Sequence, residues 1–280
     1  MSQLISIVVL ALIAFGVIAL GWWLLVASEG VYLGRRAVIW LYDFYAGRYD
    51  DIKHYSKEYD HMLLAQPIMA AIEPIKTPLV LDVATGTARL PLALLRHRRF
   101  QGHVIGADLS RKMLANAAFK IGGDRRVSLI WTPAEHLPFA NDTFDIVCCL
   151  EALEFMVNTE AALRELIRVL RPGGLLFTTN RIHTRMMPGK TRSDHDLQTL
   201  LESLGVESVS VEYWQVDYNR VWGHKAGASK PTLARPLAEV LRCPQCSQAL
   251  LVEDSGGWTC PKCHFHAPVE PNGVIDLTLP

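Results

Sequence analysis

Charge is scarce in this chain of 280 residues: 20% of the side chains carry it, and Lys+Arg 28 against Asp+Glu 28 leaves no net charge. That balance excludes a disordered polyelectrolyte and argues against a protein whose main task is gripping nucleic-acid phosphates. Internal repeats and low-complexity tracts are missing, which sets aside repeat arrays. A full G-x-G-x-x-G fingerprint is absent, so a simple dinucleotide-binding turn is not written in glycines. Cysteine is confined to two places, Cys148 and Cys149 inside an apolar run and four more near the C-terminus. What is plentiful is apolar surface: 50% of the residues are hydrophobic, and the length suits one medium domain with attachments.

Part of that apolar excess lies in Leu4 to Val26, 23 residues without a charge. As a helix this run is about 34 Å long, enough to cross a hydrocarbon core of roughly 30 Å. Trp22 and Trp23 suit an interfacial belt at its end. A cleaved signal peptide is the rival reading, but the run exceeds the usual apolar length of about 7 to 15 residues and no Lys or Arg precedes it. We expect a retained anchor over residues 1–28. Positive residues follow at Arg35, Arg36, Arg48, Lys53 and Lys57, which places the remainder on the cytoplasmic side of a single-pass membrane protein.

The C-terminal cysteines read C-P-Q-C, 13 intervening residues, then C-P-K-C. Each C-x2-C turn aims two thiolates at one point, so Cys243, Cys246, Cys260 and Cys263 together complete a tetrahedron for zinc. Two disulfides are the alternative, disfavoured in a reducing compartment. Four thiolates leave no open position for a reacting water, which makes the metal structural. Residues 237–280 are thus expected to be a small zinc ribbon, joined through a Pro- and Gly-interrupted linker over 225–236.

Between the ends, short apolar strands alternate with helical patterns. Strands are expected at Leu79–Val83, His103–Ala107, Val127–Trp131, Phe144–Leu150, Gly174–Thr179, Val206–Trp214 and Asp217–His224. Helices are expected at Arg89–Arg96, Arg111–Phe119, Glu160–Leu170 and Asp194–Leu204. This is an α/β doubly wound, Rossmann-like sheet, whose ligands sit at the carboxyl ends of the strands where the winding reverses.

Two of those ends carry acids. The first strand runs into Asp82-Val83-Ala84-Thr85-Gly86-Thr87, a small-residue turn that lets a ligand approach the backbone ahead of a helix N-terminus. Asp108, at the tip of the second strand, is placed either to accept ribose hydroxyls or to cap the helix beginning near Ser110. Asp82 could equally tie down its own loop. Glu151 and Glu154 follow the fourth strand and could sit at a helix start. Cys148 and Cys149 read as core residues of a buried strand. Arg96, His97, Arg98 and Arg99 form a basic run best explained as a solvated helix end. Of Tyr213, Trp214, Tyr218 and Trp222, most are expected to be packing.

Taken in order, Val80-Leu81-Asp82-Val83-Ala84-Thr85-Gly86-Thr87, Asp108, Ala134-Glu135-His136-Leu137-Pro138-Phe139, Phe144-Asp145 and Leu166–Gly174 resemble class I S-adenosylmethionine-dependent methyltransferases, nearest the ubiquinone/menaquinone-biosynthesis type. The resemblance covers roughly residues 41–224, and Tyr42 to Asp50 resembles the tyrosine-rich leading segment that covers the cofactor in that type. It implies a seven-stranded methyltransferase sheet in a domain over 29–224 that binds S-adenosyl-L-methionine. Asp82, Ala84, Gly86 and Thr87 would contact the amino-acid part, Asp108 the ribose, Ala134 and Glu135 the adenine, and Leu150 and Glu151 the methyl end, with Leu109 also among the cofactor-binding residues. Ala84 and Ala88 stand where glycine is usual, a change that leaves room for the ligand if φ is negative there. Pro133 replaces the acid usual before Ala134.

Methyl transfer from a sulfonium asks the protein mainly to align the reactants and exclude water, so no catalytic residue is assigned; His54, His183 or Glu151 could serve an acceptor that must lose a proton. A membrane tether favours a lipophilic small-molecule acceptor: a quinol, isoprenoid or lipid. The ribbon also resembles short zinc proteins that activate RNA- and protein-modifying methyltransferases, which offers a protein partner or a macromolecular acceptor as the alternative, although the charge balance speaks against nucleic acid. A membrane-attached zinc scaffold with a degenerate pocket is the non-catalytic alternative.

Overall fold

The computed structural model describes residues 2–182, 185–215 and 217–279. The N-terminal run forms α1 (Ser2–Trp22), which continues through one wider π turn at Trp23–Ala27. Its apolar side chains from Leu4 to Leu20 lie open, with nothing packed over them. At its foot, Trp23 donates its indole N–H to the Met186 carbonyl at 3.0 Å and stacks on Tyr32, whose hydroxyl donates to the Pro188 carbonyl at 2.7 Å. Four short helices follow: α2 (Arg35–Tyr45), α3 (Tyr49–Lys53), α4 (Lys57–Asp60) and α5 (Gln66–Ala71).

The central sheet is built from β1 (Leu79–Val83), β2 (His103–Asp108), β3 (Val127–Trp131), β4 (Phe144–Cys149), β5 (Leu170–Arg181), β6 (Val206–Gln215) and β7 (Tyr218–Lys225). Each of β1 and β4 is buried along its whole length, as expected of a strand covered on both faces. The first five strands pair in parallel, and the crossovers are α6 (Arg89–Arg96), α7 (Arg111–Ile121) and α8 (Thr159–Val169). A further helix, α9 (Asp194–Ser203), leads to the antiparallel pair β6 and β7, and β7 inserts beside β5. Because the chain passes from β1 outward to β3 and then restarts at β4 on the other side of β1, a crevice opens at the carboxyl ends of β1 and β4.

Three sequence expectations are corrected here. Among the described residues the main sheet has eight strands, in the order β11-β3-β2-β1-β4-β5-β7-β6, where β11 is Ile275–Asp276 near the C-terminus. It pairs in parallel with β3, Ile275 opposite Ile130, and the Leu277 amide donates to the Trp131 carbonyl at 3.0 Å. An edge strand left bare presents unpaired N–H and C=O groups, and this short strand covers them. Second, β5 begins four residues early, because Leu170 already pairs with Phe144 across a bulge. Third, Glu151 does not start a helix: only the short turn Leu153–Phe155 follows, and α8 waits until Thr159, where Asn158 caps it.

The cysteine-bearing segment folds into a small sheet, order β10-β9-β8, from β8 (Val252–Asp254), β9 (Gly257–Thr259) and β10 (His266–Pro268). Its Leu241, Trp258 and Ala267 belong to the same buried cluster as Ile130 of β3 and Leu137 and Phe139 of the loop after it. Of the linker expected over 225–236, Lys225 still belongs to β7, and 226–236 run without helix or strand, pinned to the body. Asp145, buried, accepts from the Thr232 and Leu233 amides at 2.8 and 3.0 Å, and also from Arg171 and Leu79. Satisfying a buried carboxylate with four donors is what allows it to stay in the core.

Candidate active site

The crevice holds an open cleft. Eight of the ten expected cofactor positions line it: Ala84, Gly86, Asp108, Leu109, Ala134, Glu135, Leu150 and Glu151. The other two, Asp82 and Thr87, line a smaller cavity that shares Ala84, Gly86, Leu150 and Glu151 with the first. The ten residues therefore converge on one place.

Gly86 Nα donates to Asp108 Oδ2 and Ser110 Nα to Asp108 Oδ1, both at 2.8 Å. Burial raises the Asp108 carboxyl above the usual range, while these amides pull the other way. Helix α7 is capped by Ser110, whose hydroxyl accepts from the Met113 amide at 3.2 Å. Asp108 is thus not the cap itself; it braces two loops and keeps lone pairs toward the cleft. Asp82 accepts from the Thr85 hydroxyl at 2.6 Å, and burial pushes its carboxyl up to about 7. It ties down its own loop through a hydroxyl, not through amides.

Backbone conformation departs from expectation at two positions. Ala84 and Ala88 have φ of +57° and +66°, so the condition of negative φ is not met. The turn demands a left-handed backbone that an L-residue adopts at a cost of about 1–2 kcal/mol. Gly86, at φ +54°, adopts it freely, with open space where a side chain would stand. Glu151 is also left-handed, at φ +52°. Strain gathered in this way is a feature of binding and catalytic loops.

The leading segment lies over the cleft, with Tyr42 and Tyr49 in its wall. Asp43 accepts from the Ser110 hydroxyl at 2.6 Å, and Asp50 accepts from the Thr87 hydroxyl at 2.6 Å while pairing with Lys120. Arg35 pairs with Glu135 across the opposite rim. Arg89 was not anticipated as a site residue. From Nε it reaches Asp60 and from Nη1 Glu151, both at 2.7 Å, and it lies over the Tyr55 ring at 4.0 Å. Glu151 Oε1 also accepts from Gln215 at 2.6 Å, and Lys53 stands 3.7 Å from Oε2. So engaged, Glu151 serves as a junction between the leading segment and the strand ends.

A second network lies alongside. Buried Glu154 accepts from Tyr218 Oη at 2.6 Å and from Arg181 at 3.3 Å; Arg181 also donates to Glu29 at 2.9 Å, and Tyr42 Oη donates to Glu29 at 3.1 Å. Burial raises the Glu154 carboxyl and drives the Tyr42 phenol well above its usual value.

Other candidates lie elsewhere. His54 is exposed at the left-handed end of α3, lining neither cavity, and His183 lies outside the described residues. Cys148 and Cys149 are fully buried in β4, where desolvation raises both thiols, as befits core residues. Arg96, Arg98 and Arg99 are exposed at and beyond the end of α6. Tyr218 and Trp214 are buried, Trp222 stacks on Phe177 at 4.1 Å, and Tyr213 is 70% exposed.

The sulfurs of Cys243, Cys246, Cys260 and Cys263 lie within 4.8 Å of one another. The pairs Cys243–Cys263 and Cys246–Cys260 are 3.5 and 3.7 Å apart, far beyond a disulfide bond and close to the roughly 3.8 Å edge of a tetrahedron with metal–sulfur bonds of about 2.3 Å. The Lys262 and Cys263 amides donate to Cys260 Sγ at 3.4 and 3.5 Å, an arrangement that favours a thiolate. The donor set fits a four-thiolate zinc centre.

Comparison with known proteins agrees with the crevice. Residues 81–178, from β1 to β5, match the methyltransferase-domain family. Over this stretch the chain is similar to a methyltransferase domain. It is 33% identical over 155 residues to a demethylmenaquinone methyltransferase of Thermobifida fusca, covering 55% of this chain and 64% of that one. A ubiquinone/menaquinone biosynthesis C-methyltransferase of Geobacter sulfurreducens is 37% identical over 109 residues, 36% of this chain and 43% of its own. The chain spans about half the length of the curated relatives it matches. Among solved structures, the [4+2]-cyclase SpnF shares the fold with a TM-score of 0.57 at 17% identity, over 70% of this chain and 98% of that one. A chain from the complex of the Haloferax volcanii Trm112 methyltransferase activator with a methyltransferase gives 0.54 at 20% identity, over 66% and 98%.

Proposed function

We propose that this protein is a membrane-anchored S-adenosylmethionine-dependent methyltransferase acting on a lipophilic small molecule: a quinol, an isoprenoid or a lipid. The observation that carries this reading is the convergence of the strand-end turn, Asp108 and Glu151 on one cleft, beneath an apolar helix with no covering partner among the described residues. Asp108 would hold the ribose hydroxyls, Asp82 and the Ala84–Thr87 turn the amino-acid end, and Ala134 with Glu135 the adenine. The bound cofactor supplies the electrophilic methyl group. The chain's own task is then to hold the acceptor in line, close the cleft with Tyr42 and Tyr49, and keep water out. The names of the quinone-methylating relatives support a lipophilic acceptor.

In this reading α1 spans the bilayer and Arg35, Arg36, Arg48, Lys53 and Lys57 keep the domain on the cytoplasmic side. Zinc on the four cysteines is structural, and the ribbon supports its own chain: its last strand closes the sheet edge at β3, which favours internal support over recruitment of a separate partner. The test is transfer of labelled methyl from S-adenosylmethionine by the full chain in lipid nanodiscs, offered total lipid extract or the aqueous extract of the same cells. Label in the lipid extract alone is the expected result; label confined to protein or RNA contradicts it.

A further inference from the structure

A second cavity, about 420 Å³, lies between the foot of α1 and the leading helices. Its outer wall is apolar: Leu25 and Val26 from the end of the anchor helix, Leu41 from α2 and Ile52 from α3. Leu25, Val26 and Ile52 are 41%, 53% and 51% exposed, so this wall opens outward where α1 would leave the bilayer. Trp40 and Phe44, stacked on each other and exposed on α2, extend the same apolar surface. The inner wall is polar. Glu29, Lys53 and Arg181 stand there, and the Nε–H of Arg181 is buried with no hydrogen-bond partner. Tyr42 and Tyr49 line both this cavity and the donor cleft, so the two share that wall.

We propose that this cavity is the acceptor site and that it takes a tailed lipid directly from the bilayer. The polar ring or head group lies against Tyr42, Tyr49 and the Arg181–Glu29 pair, and the tail leaves between Leu25, Val26 and Ile52. The inference rests on the methyltransferase reading and adds the route by which the acceptor arrives. Several features agree on it. The volume lies within the range of small-molecule sites, about 300–1000 Å³. The gradient from apolar mouth to charged floor matches an amphiphile. A water-soluble acceptor would gain nothing from an apolar mouth set at the foot of an anchor helix. The anchor in this account does more than raise local concentration, because its last turn forms part of the site wall.

The experiment uses the full chain in nanodiscs with S-adenosylhomocysteine present and a prenylated hydroquinone bearing a diazirine in its tail. After irradiation, labelled peptides are mapped by mass spectrometry. Label is expected on residues 24–27 and 41–52, and Ile52→Trp, which fills the mouth, lowers it at least fivefold. Phe119→Trp, exposed on α7 and lining neither cavity, leaves it unchanged. S-adenosylhomocysteine affinity stays within twofold in Ile52→Trp, which shows that the variant is folded. Label confined to the exposed side chains of α1, or label indifferent to Ile52→Trp, overturns the proposal. Loss of S-adenosylhomocysteine binding by the unaltered chain would instead overturn the methyltransferase reading, so the two failures are distinct.

Discussion

The amide of Gly86 and the carboxylate of Asp108 meet at 2.8 Å, joining the turn after β1 to the tip of β2. The same carboxylate holds the Ser110 amide. Asp108→Ala leaves two loop amides without their acceptor and is expected to cost about 2 kcal/mol of stability. It should also weaken S-adenosylhomocysteine binding by at least 100-fold. Asp108→Asn, which keeps one acceptor oxygen, should weaken it by about tenfold. Calorimetry on both variants, with unfolding followed by circular dichroism, checks the order.

Arg89 clasps the leading segment to the strand ends through Asp60 and Glu151. Removing it leaves two largely buried carboxylates short of a partner, and breaking a buried pair from one side costs about 3–5 kcal/mol. Arg89→Leu should lower stability by about 3 kcal/mol, since Gln215 and Lys53 still engage Glu151. Arg89→Lys, which keeps the charge and loses the fork, should recover less than half of that. Denaturant titration in detergent measures both.

Asp82 gives a pH dependence with a definite sign. Its carboxyl is raised by burial to about 7, against about 3.9 unfolded, so the native state holds a proton that the unfolded state has lost. That contribution to stability is full below the unfolded value and declines as pH rises toward 7. Asp82→Asn should therefore gain on the unaltered chain by about 2–3 kcal/mol between pH 5 and pH 8. Equal stability differences at the two pH values would contradict it.

Metal removal should reach the cleft through the ribbon. Leu241 bridges to Phe139, and the Arg242 amide donates to the Pro138 carbonyl at 2.8 Å, so the cysteine-bearing segment backs the loop that carries Ala134 and Glu135. Stripping zinc with a strong chelator should lower the unfolding temperature by several degrees and weaken S-adenosylhomocysteine binding, and added zinc should restore both. A stripped chain of unchanged stability would place the ribbon outside the folding unit.

Much of this was readable in the chain because buried parallel strands are short apolar runs with sharp ends. Leu79–Val83, Val127–Trp131 and Arg89–Arg96 lie where the pattern places them. The cleft was legible for a related reason: turns at strand ends need small residues and acids, and Asp82, Gly86 and Asp108 stand in sequence order. The early start of β5 was hidden by Pro172-Gly173-Gly174, which reads as a break yet runs inside the strand. β11 is two residues long, too short for any period to register. The pairs of Arg89 with Asp60 and Glu151, and of Arg181 with Glu29, join residues 29, 62 and 152 positions apart, distances at which local pattern carries no information.

The most direct test is titration of the intact, folded chain with S-adenosylhomocysteine in a calorimeter. A single saturable site, lost in Asp108→Ala, is the expected result. No measurable heat from a chain whose circular dichroism shows it folded would contradict the account at its root.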